Sequence, residues 1–257
     1  MTSTLWSAGR YESVGARIAG IADETVEAAD RRTLLHGATV VDLGCGTGSA
    51  TLAAAAHGAH VTAVDLTPEL IDIAKSKAGS RRIDWVVADA ADTGLAAQSF
   101  DAAVSNLGII FVEPVSQVAE ISRLLKPAGT LAFSSWVRDV SNPLFDPVVA
   151  VTGPPSASGF RPDQWGDEEI VASRLQADYR DIDIERRSFT WQFSSLAAAL
   201  KFVTSESPMH VAIFRALDDA TREKLEAAFD SALRPHVHDD GSVAFDVGYV
   251  LITATRR

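Results

Sequence analysis

Three aspartates fall at equivalent places in this chain. Asp42, Asp65 and Asp89 each close a short, apolar, β-branched run, and they stand 23 and 24 positions apart. The first lies in ATVVDLGCGTG (38–48), where Gly44, Gly46 and Gly48 take alternate positions ahead of an alanine-rich segment. That pattern reads as strand, tight turn and helix, with glycine allowing a sharp bend and a ligand lying against bare backbone. Glycine is also ordinary turn punctuation, so the acids decide the chemistry. A carboxylate ending the second strand can accept two hydrogen bonds from ribose hydroxyls. A dinucleotide would set its pyrophosphate on the first turn, at a helix N-terminus. Here Asp42 precedes the turn, and the glycines run G-x-G-x-G, not G-x-G-x-x-G. An acid there suits positive charge, either an amino group or a sulfonium centre. Asp89 suits the exocyclic amine of an adenine. Ribose, adenine, amine and cation together describe S-adenosylmethionine.

The elements that must position these residues can be read from the hydrophobic pattern. Residues 38–43, 60–65, 83–88, 100–105 and 130–136 read as strands, and 49–56, 68–78 and 114–125 as helices between them. Thr67 and Pro68 suit an N-cap and first helical position, and the run KPAG at 126–129 stops the third of these helices. Alternating strands and helices predict an α/β fold, a doubly wound, Rossmann-like, mostly parallel sheet with helices on both faces. It has about seven strands, the last antiparallel. In such a sheet the ligand lies beyond the carboxyl ends of the strands, which adds Asn106 and Leu107, after the fourth strand, to the candidates. Ahead of the first strand, residues 5–30 read as helical with a break at Gly20; Trp6 and Tyr11 there suit packing on the sheet or a lid over the turn. After Trp136 the rhythm fails: 137–165 holds Pro143, Pro147, Pro154, Pro155 and Pro162 and shows no period. Short helices over 167–177, 194–203 and 217–233 and strands over 182–193 and 243–255 close the chain, with Gly248 marking a bulge.

Composition narrows the partners. Charged residues are 22% and hydrophobic residues 47% of 257, a globular balance. The net charge of −11 repels phosphate backbones and argues against nucleic acid. One cysteine, Cys45, allows no intramolecular disulfide and no cysteine metal cluster; no metal is expected. The N-terminal residues lack the apolar run of a secretory signal, and no segment has ~20 continuous apolar residues, so the expectation is a cytoplasmic protein with no membrane partner. Oligomeric state is left open.

In VVDLGCGTG, AVDLTPELIDIA, VVADAAD, SFDAAVSNLGIIF and RLLKPAGTLAFSSW, in this order, residues 5–136 resemble the class I S-adenosylmethionine-dependent methyltransferases, in the subgroup near the ubiquinone/menaquinone-biosynthesis enzymes. The resemblance implies one domain over 1–257. It comprises a helical lid at 1–37, a cofactor-binding core at 38–136, an irregular cap over the acceptor site at 137–165, and C-terminal helices and edge strands at 166–257. It implies that backbone at Gly44, Cys45 and Gly46 approaches the methionine and ribose portions, with Asp42 beneath the methionine part. Asp65 would hold the ribose, Leu66 would pack on adenine, Asp89 and Ala90 would read the adenine edge, and Asn106 and Leu107 would line the reactive face. Tyr11 resembles a tyrosine found near the cofactor in relatives. The activity implied is methyl transfer by direct displacement, leaving S-adenosylhomocysteine.

The sequence Ser105-Asn106-Leu107-Gly108 lacks the Asn/Asp-Pro-Pro-aromatic signature of relatives that methylate amines of bases or of glutamine, which with the charge favours a small-molecule acceptor. Acceptor-pocket candidates are Trp136, Phe145, Trp165, Trp191, Phe202 and His210; Tyr11 and His210 are the candidates for a catalytic group. Methylation of protein or nucleic acid, and a non-catalytic cofactor-binding protein, are the alternatives.

Overall fold

The computed structural model describes residues 6, 9–138, 141–154 and 159–257; residue 5, where the first helical reading begins, and Pro155 lie outside them. Two compact units are formed, one by residues 1–17, 138–159 and 188–248, the other by 18–137, 160–187 and 249–257. Seven strands, β1 (Thr39–Leu43), β2 (His60–Asp65), β3 (Ile83–Val87), β4 (Phe100–Asn106), β5 (Leu125–Trp136), β6 (Tyr179–Phe193) and β7 (Val243–Arg256), form one sheet in the order β3-β2-β1-β4-β5-β7-β6. β1 to β5 pair in parallel, and β7 runs antiparallel to β5. The order reverses at β1/β4, which puts the switch point of the sheet beside the glycine-rich turn.

The second unit holds helices α2 (Ala19–Arg32), α3 (Ser49–Ala56), α4 (Pro68–Ala78), α5 (Pro114–Leu124) and α7 (Glu168–Leu175). Ala22, Val26 and Ala29 of α2 and Ala50 and Ala54 of α3 are buried with Val40, Val61, Ala102, Val104 and Ala132. These alternate positions on β1, β2, β4 and β5 are what a sheet face with period two presents to covering helices. Gly48, at φ +87, starts α3, and a Cβ there would stand 3.0 Å from that of Ala74 on α4, so close helix packing requires glycine. The break expected at Gly20 falls at Ile18, because the first helix, α1 (Tyr11–Arg17), stops there and Gly20 lies in the first turn of α2.

The first unit holds α1, α6 (Asp146–Thr152), α8 (Leu196–Lys201), α9 (Pro208–Ala216) and α10 (Asp219–Leu233), with a π-helical turn at Phe202–Glu206. Two sequence readings change here. The stretch 137–165 is not wholly irregular: Asp146 accepts from the Asn142 amide (2.7 Å) and Ser141 hydroxyl (3.0 Å), which starts α6 with Pro147 in its first turn. The helix at 208–216 starts on Pro208, ahead of the 217–233 reading, and Asp218 caps the next through the Thr221 amide. β7 runs through Gly248 without interruption. Among the described residues no helix is long and apolar enough to cross a membrane.

Candidate functional site

The carboxyl ends of β1 to β4 carry most of the candidate residues, and hydrogen bonds tie several of them together. Asp42 is fully buried in β1. Its Oδ2 accepts from the Thr51 hydroxyl of α3 at 2.5 Å, whereas Oδ1 is buried with no hydrogen-bond partner among the described residues. Burial pushes this carboxyl up to about 7; the Thr51 bond opposes the shift and the charge of Asp65 adds to it. Beyond Asp42 the turn passes through Gly44 at φ +67 and Gly46 at φ +53, left-handed backbone that favours glycine.

Asp65, at the end of β2, receives the Gly46 amide on Oδ2 and the Thr67 amide on Oδ1, each at 2.8 Å. One carboxylate therefore joins the end of β2 to the turn after β1. Burial raises its pKa and these two amides oppose the rise. Cys45 donates its amide to Val64 O (2.9 Å) and packs with Ala63 and Ile71. Burial, with Asp42 and Asp65 nearby, drives its thiol far up, which makes it a core residue and no nucleophile.

The end of β3 comes alongside, where the Ala88 amide donates to Asp65 O (3.1 Å). Asp89 Oδ1 accepts from the Ala91 amide (2.8 Å), and the Ala90 carbonyl accepts from Gln117 Nε2 (3.0 Å). Leu66 and Val87 are 54% and 53% exposed, apolar surface that an aromatic ring could cover.

At the end of β4, Ser105 donates its hydroxyl to Leu43 O (2.6 Å) and accepts from the Ile109 amide (3.1 Å). Ser134 of β5 donates to Asn106 Oδ1 (2.9 Å) and accepts from the Leu107 amide (3.0 Å), and Asn106 Nδ2 reaches Ile18 O (3.4 Å). Leu107 takes φ +56, so this turn is bent as sharply as the glycine turn facing it. Gly108 is pressed on that turn: a Cβ there would lie 2.6 Å from Gly44 O. Thr51, Gln117 and Ser134 escape the sequence reading, which takes Ser105 and Gly108 only as neighbours of Asn106 and Leu107. Thr51 alone left a local signal, a hydroxyl in the first turn of the helix after the glycines.

The remaining candidates divide between the two units. Tyr11 belongs to the first unit, edge-on to Trp6 at 5.9 Å. His210, in the same unit, is half-buried with both ring nitrogens engaged: Nδ1 with Ser207 Oγ (2.7 Å) and Nε2 with Leu144 O (2.6 Å). Burial holds its pKa below the ordinary value, and its two ring nitrogens tie Ser207 to the Leu144 carbonyl. Trp165 is buried against Phe133 (5.2 Å), and Trp191 and Phe202 pack with Phe193. These three, expected to line an acceptor pocket, are core. Phe145 lies under the Arg138 guanidinium and Trp136 edge-on to Tyr249.

The raised carboxyl of Asp42 yields a pH prediction for the ligand-free protein. Its folded value of about 7 lies above the ordinary 3.8. Between those limits the unfolded chain ionises while the folded one keeps its proton, so stability falls as pH rises through the window and levels off above it. Asp65, raised by burial, adds to this slope, and His210, lowered by burial, opposes it. The clean readout is the difference from Asp42→Asn. The melting temperature of the variant minus that of the wild type should grow from pH 4 to 7 and then stay constant; a flat difference refutes the assignment.

Residues 41–133 match the model of a methyltransferase domain. The chain is 41% identical over 113 residues to a ubiquinone biosynthesis O-methyltransferase of Xanthomonas campestris pv. campestris, covering 42% of this chain and 46% of that protein. It is 38% identical over 102 residues to a demethylmenaquinone methyltransferase of Clavibacter sepedonicus, covering 39% and 42%. Its fold is similar, at a TM-score of 0.54 and 18% identity, to that of a Haemonchus contortus phosphoethanolamine N-methyltransferase 2 solved with S-adenosyl-L-methionine, over 91% of this chain and 52% of that one. In strand order, in the carboxylates at the strand ends and in the matched domain this chain is similar to the class I S-adenosylmethionine-dependent methyltransferases.

Proposed function

We propose that the carboxyl ends of β1 to β4 hold S-adenosylmethionine and that its methyl group passes by direct displacement to a small-molecule acceptor. Bound there, the cofactor supplies a methyl group already activated on a sulfonium. The rest is alignment and exclusion of water by the protein. The fit rests on three features: a buried acceptor, Asp42 Oδ1, with its bonding capacity unused; a left-handed glycine turn open to backbone contact; and exposed Leu66 and Val87. Gly44, Cys45 and Gly46 face the methionine and ribose portions, with Asp42 beneath. Asp65 holds the ribose: a carboxylate has about four acceptor sites, two take the Gly46 and Thr67 amides, and two remain. Leu66 covers the adenine, Asp89 and Ala90 read its edge, and Asn106 and Leu107 line the reactive face.

The observation that carries the small-molecule reading is the end of β4. Asn106 Oδ1 already accepts from Ser134, and Leu107-Gly108 stands where amine-methylating relatives carry the Pro-Pro-aromatic run. The side chain is committed to the protein and is a poor clamp for an amide or base amine. The net charge of −11 and the two quinone-biosynthesis relatives support the same reading.

Calorimetry should show binding of S-adenosylmethionine and S-adenosylhomocysteine, and none of a nicotinamide dinucleotide; the reverse pattern overturns the site assignment. With methyl-labelled cofactor and a panel of phenols and quinols alongside protein and DNA, label should enter the small molecules. Transfer to protein or DNA alone overturns the acceptor class.

A further inference from the structure

The loop after β3 is pinned from α5 by three side chains on one face of that helix. Gln117, Glu120 and Arg123 follow at i, i+3 and i+6, the spacing that aligns side chains along a helix. Gln117 is fully buried; its Nε2 donates to Ala90 O (3.0 Å), and its Oε1 has no hydrogen-bond partner among the described residues. Glu120 Oε1 accepts from the Thr93 amide (3.0 Å) and hydroxyl (2.5 Å). Arg123 grips Glu120 with Nε on Oε2 and Nη2 on Oε1, both at 2.7 Å, and donates through Nη1 to Leu95 O (2.7 Å). The Arg123 bond chiefly, with help from Thr93, holds the Glu120 carboxyl down at about 2, so this grip stays charged at any pH at which the protein works. Residues 90, 93 and 95 thus hang from one rigid helix face, and Asp89 turns on its own bond from the Ala91 amide.

We infer that α5 sets the recognition of the adenine edge, with Gln117 as a positioning residue that fixes the Ala90 backbone and Glu120–Arg123 locking the loop behind it. This rests on the reading that Asp89 and Ala90 face the adenine. A backbone segment reads a donor–acceptor edge only while it is held in place, because a hydrogen bond weakens steeply with misalignment. Loosening the Ala90 carbonyl should therefore damage discrimination at the base more than affinity for the ligand as a whole.

The test compares binding of S-adenosylhomocysteine with that of its deaminated analogue, S-inosylhomocysteine, in which the exocyclic amine is replaced by a carbonyl oxygen. The wild type should prefer the adenosyl compound by about tenfold or more. In Gln117→Leu the Kd for S-adenosylhomocysteine should rise about tenfold and that for the inosyl analogue much less, so the preference collapses. General loosening of the fold would weaken both alike. Thr93→Val, which removes the hydroxyl donor from Thr93 to Glu120 and keeps its backbone one, should narrow the preference in the same direction and serves if Gln117→Leu does not fold. A wild type without preference overturns the adenine-edge reading itself. A wild type with preference, retained in the folded variants, overturns the role of α5 alone.

Discussion

Replacing Asp65 with alanine should raise the Kd for S-adenosylhomocysteine by 100-fold or more, on the order of 3 kcal/mol, while shifting the melting temperature of the ligand-free protein only slightly. Two opposing effects separate these readouts. The carboxylate is charge-bonded to the Gly46 and Thr67 amides, and bonds to a charged group contribute about 1.5–3 kcal/mol each. Against that, burial disfavours its charged form and raises its pKa, so removing it also relieves a desolvation penalty. The folded protein loses two bonds and regains part of their value. The cofactor site has no such compensation, because the ribose loses its acceptor and the turn at Gly46 loses its tether together. Asp65→Asn should sit no better than midway: its amide nitrogen must face one of two backbone N–H groups, donor against donor. Calorimetry and thermal melts on the three proteins check this. A Kd for Asp65→Ala within threefold of the wild type refutes the ribose role.

Gly108→Ala should be among the most damaging single-methyl additions in the second unit. The glycine has φ −90 and ψ −60, ordinary backbone for any residue, so conformational strain plays no part. The obstacle is space: a Cβ would lie 2.6 Å from Gly44 O and 2.9 Å from both Leu43 O and Ser105 Oγ. Two of these are backbone, and the third is held between Leu43 O and the Ile109 amide, so no flexible side-chain end can yield. The end of β4 must move away from the end of β1, which are the two elements flanking the switch point. Overpacking of this kind costs about 1–3 kcal/mol and sometimes more, and here it also displaces the glycine turn. Urea unfolding should show that loss, and calorimetry should show no measurable cofactor binding. Gly20→Ala is the control. In α2, with no atom within 4 Å of its added Cβ, it should be neutral or stabilise by up to about 1 kcal/mol. Gly108→Ala with wild-type binding would show that the two strand ends are not rigidly coupled.

Much of the fold is legible in the sequence. Local period separates the runs HVTAVD and IDWVV from PELIDIAKSKA, and alternation of the two types forces parallel strands with right-handed crossovers. Boundaries were read less well where local signals conflict. Gly20 looked like a breaker, yet the helix tolerates it and the chain breaks at Ile18. Prolines at 143, 147 and 162 suggested irregular chain, but Pro147 occupies the first turn of α6 and Pro162 opens a short 3-10 helix, positions where a missing N–H is harmless. Aromatics after Trp136 invited assignment to a pocket. Trp165, Trp191 and Phe202 pack inward instead, because nothing in local sequence tells a ring that lines a cavity from one that fills it.

By itself the sequence determined that Asp42, Asp65 and Asp89 end successive parallel strands, and hence that they share one edge of the sheet. Chain topology alone forces that. Only the tertiary structure decided how each acid is used. Asp65 has two oxygens committed to backbone amides, Asp42 keeps one oxygen unused, and the loop after Asp89 hangs from α5 through a residue 27 positions away. The physical reason is that hydrophobic period reports which way a side chain points. A hydrogen bond between distant elements depends on how closely their backbones approach, and that is set by the packing of Gly48, Gly108 and their neighbours.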